Sequence, residues 1–231
     1  MRIDCHMHTT RYSSCSVLEP DEMCHLASQR GLDAVVLTEH FRQWGPRELS
    51  DLRGRHPGLR IFSGVEVSLL EGYDVVCVGE CPSVFVNGAP DLESLLEAVE
   101  LVRDQVFLFV AHPFRYVNEV DRNLRRILGV VDGVEMNSIN LLRRSSRREA
   151  GRYLPWNWEL YEKIQREYGL VPLYNTDCHA PQAVGTLATE LETPVLPEDE
   201  AELAALLKSA ATSQHQRPDL LRVALGNSRL L

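Results

Sequence analysis

Two histidines, His6 and His8, stand at alternate positions in "DCHMHTT" (residues 4–10), directly behind a short strand-like start. On a strand, side chains at i and i+2 leave the same face, so both imidazoles can reach one point. Cys5 and Met7 then fall on the opposite face and are expected to pack, while Asp4 shares the histidines' parity and could orient an imidazole from behind. The same two-point arrangement returns late in the chain, where Asp177 and His179 flank a cysteine in "NTDCHA". Between them, "LTEH" carries Glu39 and His40, "GVE" carries Glu66, "AHP" carries His112, and "GVEMNS" carries Glu135 and Asn137. Any one of these is an ordinary strand exit. Together they offer more imidazole and carboxylate donors than one ion needs, so two or three divalent ions (zinc, manganese or iron) are expected. A carboxylate such as Glu66 can bridge two of them. Paired ions clamp the attacking and leaving oxygens of a phosphoryl displacement and acidify a bound water.

Those groups converge only if the elements before them lie side by side. Apolar runs at 2–4, 33–38, 59–65, 74–79, 106–111, 130–136 and 170–175 read as seven strands, and "VFLFVA" suits a strand buried on both faces of a parallel sheet. Helical segments alternate with them. One runs through "EPDEMCHLASQRG" to a Gly31 stop, one starts behind an Asp91 N-cap, one ends at Gly169, and one is late and amphipathic. From about residue 212 the chain is polar and is expected to lie on the surface. Strand–helix alternation over the whole length predicts one α/β domain, residues 1–231, folded as a distorted seven-stranded barrel. In such barrels the C-terminal strand ends gather the functional groups. His25, His56 and His215 fall elsewhere and are read as surface or packing residues.

Composition agrees with a chain able to bury a full core: 231 residues, 44% hydrophobic and 25% charged. A net charge of −9 disfavours a nucleic-acid partner. No run is long and apolar enough for a membrane span and no export signal opens the chain, so a cytoplasmic location is expected. Six cysteines without a CxxC pair, Cys77 and Cys81 among them, read as reduced thiols.

The ordered motifs "DCHMHT", "LTEH", "AHP" and "NTDCHA", with "GVE", "GVEMNS" and the "AVG" after "DCHAPQ", resemble those of the PHP (polymerase and histidinol phosphatase) family of metal-dependent phosphoesterases across nearly the full chain. The resemblance implies a distorted seven-stranded barrel with a trinuclear site. One ion would take His6, His8, Glu66 and Asp177. A second would share Glu66 and take His112, and a third would take His40 and His179. Three positions depart from the family pattern. Glu39 stands where the family often has Asp before the second-motif histidine, and Ser14 stands near a further ligand position. Asp74 is the nearest candidate where the family often supplies another histidine, so Glu39 and Asp74 join the candidate ligands.

The implied reaction is hydrolysis of a phosphate ester, with a small phosphorylated molecule, a phosphomonoester, as the leading substrate. Arg115, three residues beyond His112, could hold a phosphate oxygen through its planar fork. Asn137 and the basic run after it, with Arg143 and Arg144, could attract the substrate or form a solvated, ion-paired face. A nucleotide or short-oligonucleotide phosphodiesterase is an alternative. So are an amidohydrolase, which usually needs a metal-bridging lysine, and a weakly active metal-binding module. Lys163 and Lys208, the only lysines, lie in predicted helices.

Overall fold

A computed structural model describes residues 1–226. All seven expected strands form: β1 (Arg2–Met7), β2 (Ala34–Leu37), β3 (Arg60–Ser68), β4 (Asp74–Gly79), β5 (Val106–Ala111), β6 (Gly133–Asn137) and β9 (Val171–Tyr174). Four more join them. β7 (Ser146–Glu149) and β8 (Arg152–Pro155) pair as a separate hairpin, while β10 (Leu187–Leu191) and β11 (Thr212–Gln216) extend the main sheet. That sheet has nine strands, in the order β11-β10-β1-β2-β3-β4-β5-β6-β9.

The result is a nearly closed α/β barrel, but the strand count and directions differ from a seven-stranded parallel form. β4 runs antiparallel to both β3 and β5, and β10 runs antiparallel to β1 and β11. "TSQHQ" in β11 has no apolar period to mark it. It is an edge strand held by pairing and side-chain hydrogen bonds, and with helix α8 (Leu220–Leu225) it replaces the expected surface tail. Residues 227–231 of that tail lie outside the described residues. Hydroxyls seal the seam between β9 and the β10–β11 edge. Thr189 Oγ1 accepts Tyr174 N–H at 2.8 Å and Thr212 Oγ1 donates to Pro172 O at 2.6 Å, across a strand whose proline has no N–H for a ladder.

The sheet separates two apolar layers. The inner one holds Ile3, Cys5, Ala34, Val36, Phe62, Val76, Phe107 and Phe109, with Leu203, Ala204 and Leu207 added by α7 (Glu200–Ser209). The outer one packs the other sheet face against α1 (Pro20–Gln29), α2 (Pro46–Arg55), α3 (Leu92–Val102), α4 (Arg122–Leu128) and α6 (Trp158–Tyr168). Gly133 is required where β6 passes Phe107: a Cβ there would come within 2.8 Å of the ring. Asp91 caps α3 by accepting Ser94 N–H at 2.8 Å, and Gly169 ends α6 in the left-handed region (φ 66°).

A register shift between Asp4 and Met7 corrects one detail. Cys5 belongs to the inner layer and Met7 to the outer, so the bulge shifts the phase just ahead of His6; from His6 to His8 alternation holds, with both imidazoles facing inward and Met7 outward. Among the described residues no helix is long and apolar enough to cross a membrane.

Candidate metal centre

The polar strand exits meet at one end of the barrel. Pairing continues past the strands: His8 N–H donates to Cys178 O at 2.9 Å, and His40 bridges Glu66. Because β4 is reversed, its first residue, Asp74, sits at this same end, opposite Ser68 and Ala111. His112 and Asp177 both adopt positive φ, 30° and 51°. For non-glycine residues this is a strained backbone, and both side chains face the cluster.

Glu66 lies at the centre. Its Oε1 is 3.2 Å from His6 Nε2 and 3.4 Å from His112 Nε2, and its Oε2 is 3.1 Å from both His8 Nε2 and His40 Nδ1. Asp177 Oδ1 lies 3.6 Å from His6 Nε2, 3.5 Å from His8 Nε2 and 3.5 Å from His179 Nδ1. Asp74 Oδ2 is 3.8 Å from His112 Nδ1. Among the described residues four sets have donor atoms within ligand spacing of one another: His6, His112 and Glu135; His6, His8 and Asp177; Glu66, Asp74 and His112; His8, His40 and His179. The last set gains His8 over the two donors expected for it.

Behind these groups stands a layer of buried anchors. Glu135, which closes with His6 and His112 at similar spacing, is committed elsewhere. Its Oε1 meets His6 Nδ1 at 3.0 Å and accepts Asn175 Nδ2 at 3.1 Å, and its Oε2 accepts His112 N–H at 3.1 Å. Glu39 does not face the cluster as a ligand. Its oxygens accept from the Thr9 N–H (3.1 Å), the Thr9 hydroxyl, Ser13 Oγ (2.5 Å) and Trp44 Nε1 (3.1 Å). The extra methylene relative to Asp carries its carboxylate to these donors. Asp4 orients no imidazole. It accepts the His6 backbone N–H at 3.2 Å and both the N–H and hydroxyl of Thr176, tying β1 to the Asp177 turn.

The charge balance favours cations. Burial opposes charge on His8, yet the Asp177 and Glu66 carboxylates outweigh it and raise its pKa to about 9. His6 is likewise driven up against burial by Glu66 and Asp177. Burial alone would raise Glu66, but His6, His112 and His40 hold it well below the carboxylate range. His179 is pushed down to about 4 by burial and by neighbouring His8. His6 Nε2, His8 Nε2 and Glu66 Oε2 are buried and face one another at ion-pair distance without a well-directed hydrogen bond. Three buried, inward-facing ligand atoms that converge without directed hydrogen bonds, in a nest of imidazoles and carboxylates, fit borderline divalent ions.

A cleft of about 390 Å³ opens above the cluster, walled by Arg115, Asn140 and Arg143 among others. Arg115 Nη1 is 4.0 Å from Asp177 Oδ2, and Asn140 Nδ2 donates to that same oxygen. Arg143 donates to Asn140 Oδ1 at 3.3 Å and to Ala224 O at 3.2 Å. Arg144 lies outside the cleft, where it donates to Arg115 O. Asn137 is also not a cleft residue: its amide is buried against Tyr153 O (2.7 Å) and Gln214 (3.3 Å), holding β6 to β8 and β11. Ser14 does not line the cleft, whereas exposed Cys15 does. Asn140, Ser13 and Cys15 carried no sequence signal, since each sits in a loop or short helix, α5 (Ile139–Arg144), without a periodic pattern. The other histidines stay apart: His25 is exposed, His56 meets Asp21 at 2.8 Å, and His215 lies 3.7 Å from Glu190. The six cysteines are unbridged.

No family model matches the chain, and no curated protein matches it either. Solved structures do. PsfC from Pseudomonas syringae is 21% identical with a TM-score of 0.69, covering 97% of this chain and 94% of its own. A two-domain protein from Bacteroides vulgatus, containing a predicted PHP-like metal-dependent phosphoesterase, is 17% identical with a TM-score of 0.63 over 97% of this chain and 68% of its own. An amidohydrolase from Chromobacterium violaceum is 17% identical with a TM-score of 0.57, over 89% of this chain and 96% of its own. The chain therefore has the fold of the PHP-like metal-dependent phosphoesterases.

Proposed function

We propose that this chain is a metal-dependent hydrolase of phosphate esters, acting on a small phosphomonoester. The observation that carries the reading is the convergence of buried His6 Nε2, His8 Nε2 and Glu66 Oε2, none in a directed hydrogen bond, beneath an arginine-walled cleft. His6, His8, Glu66 and Asp177 would hold one ion; Glu66, Asp74 and His112 a second; His8, His40 and His179 a third. When bound, such ions supply Lewis acidity: they acidify a water and neutralise charge on phosphoryl oxygens.

The chain's own groups do the positioning. Glu135 holds the His6 ring from its Nδ1 side, and Asn140 pins one oxygen of Asp177 so that the other faces His6 and His8. Arg115, stacked 5.1 Å over Tyr116 and beside Asp177, is placed to fork a phosphate oxygen as charge builds on it. A cleft of about 390 Å³ suits a small molecule.

A second reading, cleavage of a short oligonucleotide, draws support from Tyr116. Its exposed ring lies under both Arg115 and Arg144, a surface on which a base could stack. An amidohydrolase is disfavoured because no lysine lines the cleft: Lys163 lies in α6, and Lys208, in α7, donates to Arg103 O.

The test is metal analysis of the purified protein, then a panel of phosphomonoesters, dinucleotides and amides with added manganese or zinc. Inorganic phosphate released from monoesters and lost in His6→Ala is the expected result. Nucleotide products would favour the second reading, and amine or ammonia release would overturn both. Less than one ion per chain under metal-replete conditions would end the metal reading itself.

A further inference from the structure

His6 and His8 aim the same nitrogen, Nε2, into the cluster, yet they are held from behind in different ways. His6 Nδ1 meets a carboxylate directly, Glu135 Oε1 at 3.0 Å. His8 Nδ1 meets a hydroxyl, Ser13 Oγ, at 3.3 Å. That hydroxyl has one hydrogen, and it is spent on Glu39 Oε2 at 2.5 Å. Toward His8, Ser13 can therefore only accept, and the His40 backbone N–H donates to the same oxygen at 3.3 Å. Glu39 in turn accepts from Thr9 and Trp44, so its carboxylate cannot turn away from Ser13.

We infer that Ser13 and Glu39 form a positioning relay that fixes His8 with its proton on Nδ1 and its Nε2 lone pair toward the ions. The inference rests on the metal reading proposed above and explains why Glu39, which is fully buried, is not itself a ligand. Its consequence reaches further than one ring. His8 belongs to two donor sets, with His6 and Asp177 on one side and with His40 and His179 on the other. Its ring stacks against both His40 (4.5 Å) and His179 (4.4 Å). A relay that sets the His8 tautomer therefore governs occupancy at two positions together. The Glu39 charge acts through Ser13: donating to a carboxylate polarises the hydroxyl and strengthens its acceptance from His8.

The experiment compares zinc-loaded full-length protein with Ser13→Ala, Ser13→Thr and Glu39→Gln. Zinc affinity and stoichiometry are read by calorimetry and metal analysis, and the His8 ring by its nitrogen-15 NMR shifts. Ser13→Ala is expected to weaken zinc binding about 10- to 100-fold, the usual effect of losing a ligand's outer partner. It should also lower the ion count per chain and shift His8 from a single Nδ1–H form to a mixture. Ser13→Thr keeps the hydroxyl and should restore all three readouts. Glu39→Gln must set an amide N–H against either Thr9 N–H or Trp44 N–H, and should act like Ser13→Ala. If Glu39→Gln fails to fold, the Ser13 pair decides alone. Unchanged zinc affinity and ion count in Ser13→Ala, or zinc on His8 Nδ1 in the parent, would overturn the relay. A parent that binds no zinc would instead overturn the metal reading beneath it.

Discussion

Glu135 Oε1 lies 3.0 Å from His6 Nδ1, while the other oxygen of the same carboxylate accepts the His112 backbone N–H at 3.1 Å. One buried side chain thus fixes a ring from β1 and the strained backbone that leaves β5. Glu135→Gln keeps the volume but must point an N–H2 at a donor on one side. Zinc affinity measured by calorimetry is expected to fall about 10- to 100-fold. Glu135→Ala also orphans the Asn175 amide and the His112 N–H, at a cost of about 1–3 kcal/mol for each buried group. Its melting temperature should therefore drop even with EDTA present. Equal zinc affinity in Glu135→Gln and the parent would refute the orienting role.

How much of this centre is legible in the sequence depends on the kind of contact. His6, His8, Glu66, Asp177 and their neighbours are visible because each stands just after an apolar run. Runs that stack as strands bring the residues at their ends to one rim. Direction is not visible. The run that forms β4 reads the same whichever way it points, and its reversal is what brings Asp74 beside His112. Nor can type and position separate Glu39 from a ligand: only the donors around it, from Thr9, Ser13 and Trp44, show where its oxygens are spent. β11 escapes a sequence reading because five polar residues carry no hydrophobic period, and its pairing is specified by β10 rather than by its own residues.

Arg115 gives a prediction that separates substrate from metal. Its guanidinium lines the cleft and comes no nearer than 4.0 Å to Asp177, so removing it should leave ion binding intact. A charged hydrogen bond to a phosphate oxygen is worth about 1.5–3 kcal/mol, so Arg115→Gln should lower kcat/KM on a phosphomonoester by about 10- to 100-fold. Metal analysis should show an unchanged ion count. Arg144→Gln removes the donor to Arg115 O and should produce a smaller effect of the same kind. A loss of bound ions in Arg115→Gln would count against its assignment to substrate.

Phe109 supports the centre from below. Fully buried in the inner layer, it meets the His6 ring edge-on at 6.2 Å. Phe109→Ala opens a cavity under that ring and should cost about 3–5 kcal/mol in urea melts, with Phe109→Leu intermediate. Because the cavity adjoins a ligand, saturating zinc should recover part of the loss by pulling the native state back. A melt in EDTA that matches the parent would show that the inner layer does not carry the site.

The final prediction concerns pH, and its sign differs with and without ions. In the ion-free protein burial works against a charged His8, but Asp177 and Glu66 prevail and lift it from the usual 6.5 to about 9. A group raised on folding stabilises below its unfolded pKa, and that contribution is lost as pH climbs through the folded one. Glu66 is lowered despite its burial, by His6, His112 and His40, so its contribution is present above the ordinary carboxylate range and lost in acid. EDTA-treated protein should therefore lose melting temperature between pH 6.5 and 9. Ion binding runs the opposite way, because His8 must shed a proton to become a ligand, whereas His179, held near 4 by burial and by His8, is already neutral. Zinc affinity should rise by up to about tenfold per pH unit for each proton displaced, until about pH 9. Calorimetry in two buffers of different ionisation enthalpy reads the proton count directly. Zinc binding without proton release at pH 7, or EDTA-treated protein that gains stability from pH 7 to 9, would contradict the carboxylate-clamped imidazole on which both signs depend.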